Sequence, residues 1–458
     1  MMRSTSKVFL LGALALAWPC GAQAQAGAGA GMGAGAGGSA TEPVRAPLST
    51  NGVPPVMVPP PLPGSALGDV QPWTQDDAKA LLSLLEGIGS EGLDPQDYKL
   101  PELSAAIAAG EGPELDRAAS RSFAWLIEDL RDGRTPMEAR RQWFVVDPDP
   151  DVMPTARVMS EALAKHDIAG VVDKLAPVNP DYAALRQALA DTPKTDKKRI
   201  AMIRANMDRW RWLARDLGKQ YLMTNVPEYQ LRLTVNDKII STYKTIVGKP
   251  GRTATPQLAE IVEGVIFNPT WTVPQSIVKG EGLGARLLAN PASARAQGYA
   301  VTRGANGYVN VVQQPGPNNS LGQMKLDMPN EHAIFLHDTP SRGLFNQDNR
   351  ALSHGCIRTE RALELAITMA ILGKGASKDE AVSISTSGKY TRVPLQKTFP
   401  VYITYFTMGR DITGKLRSFN DIYGRDAPVL ASFEAPRVAN RARKTDEEVI
   451  EIVDDLRT

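Results

Sequence analysis

Cysteine is almost missing from this chain: 458 residues hold two, Cys20 and Cys356. Cys20 falls inside a stretch that reads as a cleaved export signal, so the mature protein keeps one thiol. A lone thiol in an oxidising compartment has no partner for a structural disulfide. A disulfide-stapled fold is excluded, and the thiol asks for a chemical reason. Long apolar runs are missing too. Val8 to Trp18 is too short to span a bilayer as a stable anchor, and no later uncharged apolar run is long enough. An excess of charge of either sign is also absent, the formal net charge being +2. That balance speaks against a nucleic-acid footprint and against a polybasic membrane patch.

What is present divides the chain into five parts. Arg3 and Lys7 precede the apolar stretch, and Ala22-Gln23-Ala24 supplies small residues for cleavage, so residues 1–24 read as a signal peptide for export to the periplasm. Residues 25–70 pass from an Ala/Gly tract to a Pro-rich stretch with Pro54-Pro55 and Pro59-Pro60-Pro61. They hold too few large apolar groups to offset the entropy of ordering and read as a disordered linker. Residues 71–200 read as a helical domain. Thr74 and Asp77 start a helix before Leu81, Leu82, Leu84, Leu85 and Ile88. Ala118 to Leu130, 156–164 and 181–189 read as further helices, and Lys197 to Gly218 as a longer one.

From Lys219 the period changes to that of strands. Tyr221–Val226, Tyr229–Val235 and Lys238–Val247 come first, with a turn at Asn236-Asp237. Gly264–Phe267, Ala300–Thr302, Tyr308–Gln313, Ala333–Leu336 and Tyr402–Phe406 follow, interrupted by a helix from Glu360 to Leu372. Residues 201–433 therefore read as one β-rich domain, and 434–458 as a charged tail with a short helix.

The chemistry concentrates between His337 and Arg358. A metal site is not expected there. His332 and His337 are five residues apart, and on an extended strand such residues face opposite sides. The His and Cys spacings also match no common structural zinc pattern. His166, beside Asp167, reads as a surface or capping histidine. A cysteine nucleophile needs a base, a fixed imidazole and donors for a tetrahedral oxyanion. His337 can be the base, its other ring nitrogen held by a backbone carbonyl of Asp338-Thr339-Pro340 or by the Asp338 side chain. Gly355 permits an unusual turn next to the thiol. The backbone N–H of Cys356 and its neighbours supply oxyanion donors. A helix starting near Thr359 is expected to lower the thiol pKa.

His337, an interval of 15 residues and Ser353-His354-Gly355-Cys356-Ile357-Arg358 resemble the signature of the L,D-transpeptidases of the YkuD family. Asn268-Pro269-Thr270-Trp271-Thr272-Val273-Pro274, Pro315-Gly316-Pro317-Asn318-Asn319-Ser320-Leu321-Gly322 and His337-Asp338-Thr339-Pro340 extend the likeness over 219–426. Gly92-Leu93-Asp94-Pro95-Gln96-Asp97-Tyr98 resembles the scaffold domain of the large periplasmic members.

The resemblance implies an α+β multidomain protein: a β-sandwich-like catalytic domain with a capping loop over 276–320, plus the helical scaffold. It implies Cys356 as nucleophile and His337 as base. Ser353, His354, Gly355, Arg358 and Asp338 would shape the site, and Trp271 and Tyr308 would line it. The partners implied are peptidoglycan stem peptides, donor and acceptor, and the acyl chemistry needs no metal and no organic cofactor. The small peptidoglycan-binding insertion of the large members is missing between Tyr182 and Lys197. The acceptor amine, on diaminopimelate or on L-alanine, stays open. So do hydrolysis of the same acyl-enzyme, by a carboxypeptidase or amidase, and a silent wall-binding scaffold.

Overall fold

The computed structural model describes residues 70–438 together with Ile450. The expected signal peptide, the linker as far as residue 69 and most of the charged C-terminal segment lie outside the described residues.

The chain from Gln75 to Trp210 is helical. Thr74 caps the first helix, Gln75–Gly87, its side chain accepting from the Asp77 N–H. Leu81 and Leu85 of that helix meet Leu115, Phe123, Leu126 and Leu130 of Pro113–Asp132 in one apolar core. The last long helix runs Lys197–Trp210, eight residues short of the expected Gly218. It stops because the next segment is held otherwise: the Arg215 guanidinium donates to the carbonyls of Leu130 at 2.7 Å and Arg131 at 2.9 Å. Trp210 and Trp212 are both buried, the first stacked on Phe406 at 4.5 Å, the second edge-on to Trp143 at 5.2 Å.

The β-rich domain is built from β1 (Gln220–Asn225), β2 (Gln230–Val235), β3 (Lys238–Gly248), β4 (Ala259–Phe267), β5 (Trp271–Thr272), β6 (Tyr299–Arg303), β7 (Val309–Gln313), β8 (Met324–Asp327), β9 (Leu336–His337), β10 (Ala351–Ser353), β11 (Ile357–Thr359) and β12 (Thr391–Thr404). The main sheet runs β10-β3-β11-β9-β8-β4-β12-β1-β2, and β2 also pairs with β3. The first part of β3 joins β2, and its last residues join β11 and β10. The two layers expected of a sandwich are thus one sheet that returns on itself through β3.

Alternation divides the sheet into two faces. Leu222, Leu231, Leu233, Val262, Met324, Leu326, Leu336, Ile357 and Val401 all enter one core, closed by Leu365, Ala366 and Met369 of the helix Ala362–Leu372. The opposite face is divided. At β1 and β12, Tyr221, Met223 and Tyr402 pack with Trp210 and Met207 of the helical region. At β8, β9 and β11 that face carries polar side chains.

Four sequence expectations change. The helix after Cys356 starts at Ala362, not near Thr359, because residues 357–359 form β11, paired with β3 and β9. Ala333 is left-handed at φ +52°, so the extended stretch shrinks to Leu336–His337. The Asn330 side chain forms that turn, donating to Met328 O and Ile334 O, both at 2.8 Å. The last strand begins at Thr391, not Tyr402. Pro394 and Pro400 hide it from a propensity reading, and Pro394 sits where the register with β4 shifts. The expected capping loop is a small folded unit of three short helices and a sheet ordered β5-β7-β6. Its own core is Val273, Val278, Leu283, Leu287, Ala294 and Val311.

Candidate active site

Cys356 sits on the turn between β10 and β11, at the polar end of the divided face. The turn is tightly braced. Ser353 Oγ donates to the Cys356 carbonyl at 2.6 Å and accepts from the Gly355 N–H at 3.2 Å. Gly355 has φ +124°, a conformation that residues with a Cβ rarely adopt, and a Cβ there would crowd Ile334 Cδ1 at 3.2 Å. The Ile357 N–H reaches the Phe335 carbonyl at 2.9 Å. Two of the three amides around the thiol, those of Gly355 and Ile357, are thereby engaged by the fold.

Thr255, fully buried, completes the brace. Its hydroxyl donates to the Gly355 carbonyl at 2.7 Å and accepts from the Gly248 N–H at 2.9 Å. Tyr423 Oη donates to the Gly248 carbonyl at 2.6 Å and accepts from the Thr255 N–H at 3.2 Å. Sequence reasoning missed Thr255, and no local signal marks it: its partners are 7 and 100 residues away.

Register places the imidazole. Leu336 of β9 opposes Ile357 of β11, both turned to the core, and the next pair is His337 with Arg358. His337 and Arg358 therefore point to the opposite face, and Cys356, on the bend just before β11, feels the charges of both Lys325 and Arg358. Lys325 of β8 pairs with His337 from the other side, between the core residues Met324 and Leu326. Ile266 of β4 opposes Lys325, and Ile246 of β3 opposes Arg358. One row thus crosses five strands as Ile266, Lys325, His337, Arg358, Ile246, with the thiol beside it and no carboxylate within it.

His337 Nδ1 lies 2.5 Å from the Asp338 carbonyl oxygen. This contact makes Nδ1 the protonated nitrogen and leaves Nε2 with its lone pair. The Asp338 carboxylate is not the partner. It accepts from the Gln323 N–H at 2.9 Å and from Arg342 at 3.3 Å. Burial, with Arg358 and Lys325 adding to it against the Asp338 hydrogen bond, holds the imidazole down to about 4. The ring is neutral at neutral pH. Burial raises the Cys356 thiol, while a backbone hydrogen bond at Phe335 and the charges of Lys325 and Arg358 pull the other way. The helix dipole expected to lower it is absent, since β11 separates the thiol from the helix start. The protonated thiol donates weakly to Ala333 O at 3.6 Å. The Arg358 Nε is buried with no hydrogen-bond partner, and burial lowers its guanidinium.

The remaining expected residues spread out. His354 is exposed, its Nε2 3.0 Å from Glu281 Oε1 on the turn between two cap helices. Trp271 packs against the core of the cap. Tyr308 is an exposed residue directly before β7. His332 packs on Phe144 at 4.2 Å, away from His337. Among the described residues no group of three or more His, Cys, Asp or Glu side chains is placed to hold a metal ion, and no helix is long and apolar enough to cross a membrane.

Residues 219–403 match the family model of the YkuD L,D-transpeptidase catalytic domain, and residues 70–189 match that of the scaffold domain. A Haemophilus influenzae protein named "Putative L,D-transpeptidase" is 30% identical over 223 residues, 45% of each chain, so the match spans about half the length of that relative. Among solved structures, the L,D-transpeptidase from Mycobacterium smegmatis is similar at 14% identity, covering 41% of this chain and 59% of that one, with a TM-score of 0.21. L,D-transpeptidase 1 of Mycobacterium tuberculosis is similar at 12% identity, covering 41% and 62%, with a TM-score of 0.19.

Proposed function

We propose that this chain, which carries a YkuD-family L,D-transpeptidase catalytic domain at residues 219–403, cross-links peptidoglycan stems through a thioester on Cys356. Two features carry the reading. Strand register sets His337 beside β11, the strand that Cys356 directly precedes, and the His337 Nδ1–Asp338 carbonyl contact of 2.5 Å leaves Nε2 with its lone pair to serve as a base.

The steps follow from those groups. His337 Nε2 takes the thiol proton as Sγ attacks the carbonyl of the L-centre of diaminopimelate in a donor tetrapeptide. The Cys356 amide, the one of the three not tied into the turn, donates to the developing oxyanion, and Arg358 adds positive charge beside it. The C–N bond breaks, and the imidazolium returns its proton to the leaving D-alanine amine. An acceptor amine then attacks the thioester. His337 takes its proton, the new amide forms, and the thiol is restored. A neutral thiol and a neutral imidazole in the resting state call for proton transfer concerted with attack, not for a preformed ion pair.

The signal peptide at 1–24, the linker at 25–70, the helical scaffold at 71–200 and a periplasmic location belong to the same proposal. The test is incubation with purified tetrapeptide muropeptides and mass spectrometry of the products. Dimers lacking one D-alanine are expected, with fragmentation identifying the acceptor as diaminopimelate or L-alanine. Tripeptide monomers alone would make the protein a hydrolase. Unchanged products from Cys356→Ala would overturn the mechanism.

A further inference from the structure

We propose that Thr255 is the positioning residue of the oxyanion donor: its buried hydroxyl holds the Gly355 carbonyl and thereby turns the Cys356 N–H toward the reacting centre. The inference rests on the acyl transfer proposed above and on the hydrogen bonds around the motif turn.

Thr255 is fully buried beside that turn. Its hydroxyl accepts from the Gly248 N–H at 2.9 Å and lies 2.7 Å from the Gly355 carbonyl oxygen. A hydroxyl has one proton, and neither an N–H donor nor its own lone pair can use it here. The proton is therefore committed to the Gly355 carbonyl, and the direction of the bond is fixed. Gly248 is itself paired with Ser353 at the end of β10. Thr255 thus spans the turn from its entry to the residue before the thiol.

The Gly355 carbonyl and the Cys356 N–H belong to one planar trans peptide and point in opposite directions. A carbonyl held toward Thr255 sends the N–H the other way, out of the turn. The next peptide is fixed as well, the Cys356 carbonyl by Ser353 Oγ at 2.6 Å and the Ile357 N–H by the Phe335 carbonyl at 2.9 Å. Both peptides that meet at the Cys356 α-carbon are held, each by a different hydroxyl. The Cys356 N–H is among the groups that pull the thiol down against burial, so it faces the sulfur.

A clamp is needed because of Gly355. At φ +124° and without a Cβ, glycine lets the following peptide rotate at little steric cost. The clamp is itself held on both sides. The Thr255 N–H donates to Tyr423 Oη and the Thr255 carbonyl accepts from Arg425 Nη2, each at 3.2 Å. Tyr423 Oη donates in turn to the Gly248 carbonyl at 2.6 Å. Donation to the Gly355 carbonyl also polarises its peptide, which strengthens the N–H as a donor.

The test compares two reagents at Cys356, with the adduct located by peptide mass. With p-nitrophenyl acetate the thiolate passes through a tetrahedral oxyanion and expels p-nitrophenolate. With iodoacetamide it displaces iodide and no oxyanion forms. The thiolate fraction enters both rates alike, so the ratio of acylation to alkylation reads the oxyanion donor. Loss of one such donor outright costs about 10²–10³-fold. Thr255→Val keeps the shape and removes the hydroxyl, and should lower the ratio by about tenfold to a hundredfold. Thr255→Ser should restore it to within about threefold. With a tetrapeptide donor, Thr255→Val should lower kcat and leave KM near that of the parent. A merely structural Thr255 would slow both reagents together, and that unmoved ratio would overturn the proposal. If Thr255→Val does not fold, Tyr423→Phe loosens the clamp while keeping the Thr255 hydroxyl. It should lower the ratio by about twofold or more, and an unmoved ratio there overturns the proposal too. A ratio that responds to Thr255 in a protein that leaves muropeptides untouched would sink the transpeptidase reading alone. Muropeptide turnover with an unmoved ratio would sink this inference alone.

Discussion

The face of the sheet turned away from the main core carries two different surfaces. At β1 and β12 it is sealed by Tyr221, Met223 and Tyr402 against the helical region. At β8, β9 and β11 it carries Lys325, His337 and Arg358. The two regions also treat buried charge differently. At the junction with the helices three buried arginines meet anions: Arg134 with Asp97 at 2.8 Å, Arg209 with Asp426 at 2.7 Å, Arg437 with Glu128 at 2.6 Å. At the site Arg358 keeps a buried Nε without a partner and His337 stays neutral between two cations. Paired charges fix how the helical region sits on the sheet. The partnerless Arg358 Nε leaves a donor for a ligand to use.

The sharpest way to break that contrast is at Asp208. Its carboxylate accepts from the Arg134 N–H at 2.6 Å, the Thr135 N–H at 3.0 Å and Trp212 Nε1 at 3.0 Å, and lies 3.6 Å from Arg211. Burial pushes its pKa up, yet Arg211 and Arg140 bring it below the ordinary value. Asp208→Ala strands three donors, takes from Arg211 one of its two anionic neighbours and should cost about 3–5 kcal/mol in urea unfolding. A loss below about 1 kcal/mol would mean the junction charges are not a matched set.

At His337 the sign is reversed. Its folded pKa, about 4, lies below the ordinary 6.5. The unfolded chain then binds more protons, so the stability tied to the neutral ring is fully present above pH 6.5 and is lost as pH falls through 4. At 1.36 kcal/mol per unit, the parent should lose up to about 3 kcal/mol relative to His337→Gln on acidification across that window. A difference that does not change with pH would place the imidazole in a wetter setting. The same shift keeps the base form available, so acyl transfer should hold its rate well below pH 6.5.

Arg358→Met sharpens the comparison from the other side. Removing a half-buried guanidinium whose Nε has no partner should leave stability within about 1 kcal/mol of the parent. Acyl transfer should fall by roughly tenfold to a hundredfold, because a charge-assisted contact to substrate is lost. Chemical unfolding and thioester formation followed by intact mass separate the two effects. A large stability loss would make Arg358 a structural residue.

The two regions were not equally legible in the sequence. The motif from Ser353 to Arg358 is local, so it could be read without coordinates, and the helical periodicity around Leu81 and Phe123 could be read in the same way. The row through Lys325 could not. Its members lie 12 and 21 residues apart and meet only through register across β8, β9 and β11. Thr255 was invisible for the same reason. The expected helix start near Thr359 failed because Ile357-Arg358-Thr359, with two β-branched residues, pairs with two neighbouring strands. Prolines concealed most of β12, although one stands at a break in pairing where proline is tolerated.

The smallest expected effect tests whether the cap belongs to the site or merely sits near it. Glu281 and His354 form a polar bridge between the cap and the motif turn, and both side chains are about half exposed, at 53% and 52%. Such a pair contributes at most about 1 kcal/mol and is screened by salt. Glu281→Gln keeps the shape and removes the charge, so the thermal midpoint should barely move. The cap has its own core, so it can shift as a body without unfolding. A cap held less firmly admits water to the thioester more often. The share of hydrolysed tripeptide over cross-linked dimer should therefore rise, by a factor of about two to five if the pair contributes about 0.5–1 kcal/mol, and added salt should bring the parent toward the variant. A product ratio that ignores both the substitution and salt would remove the cap from control of the acyl-enzyme, and would leave the row beneath it as the place where water and amine are told apart.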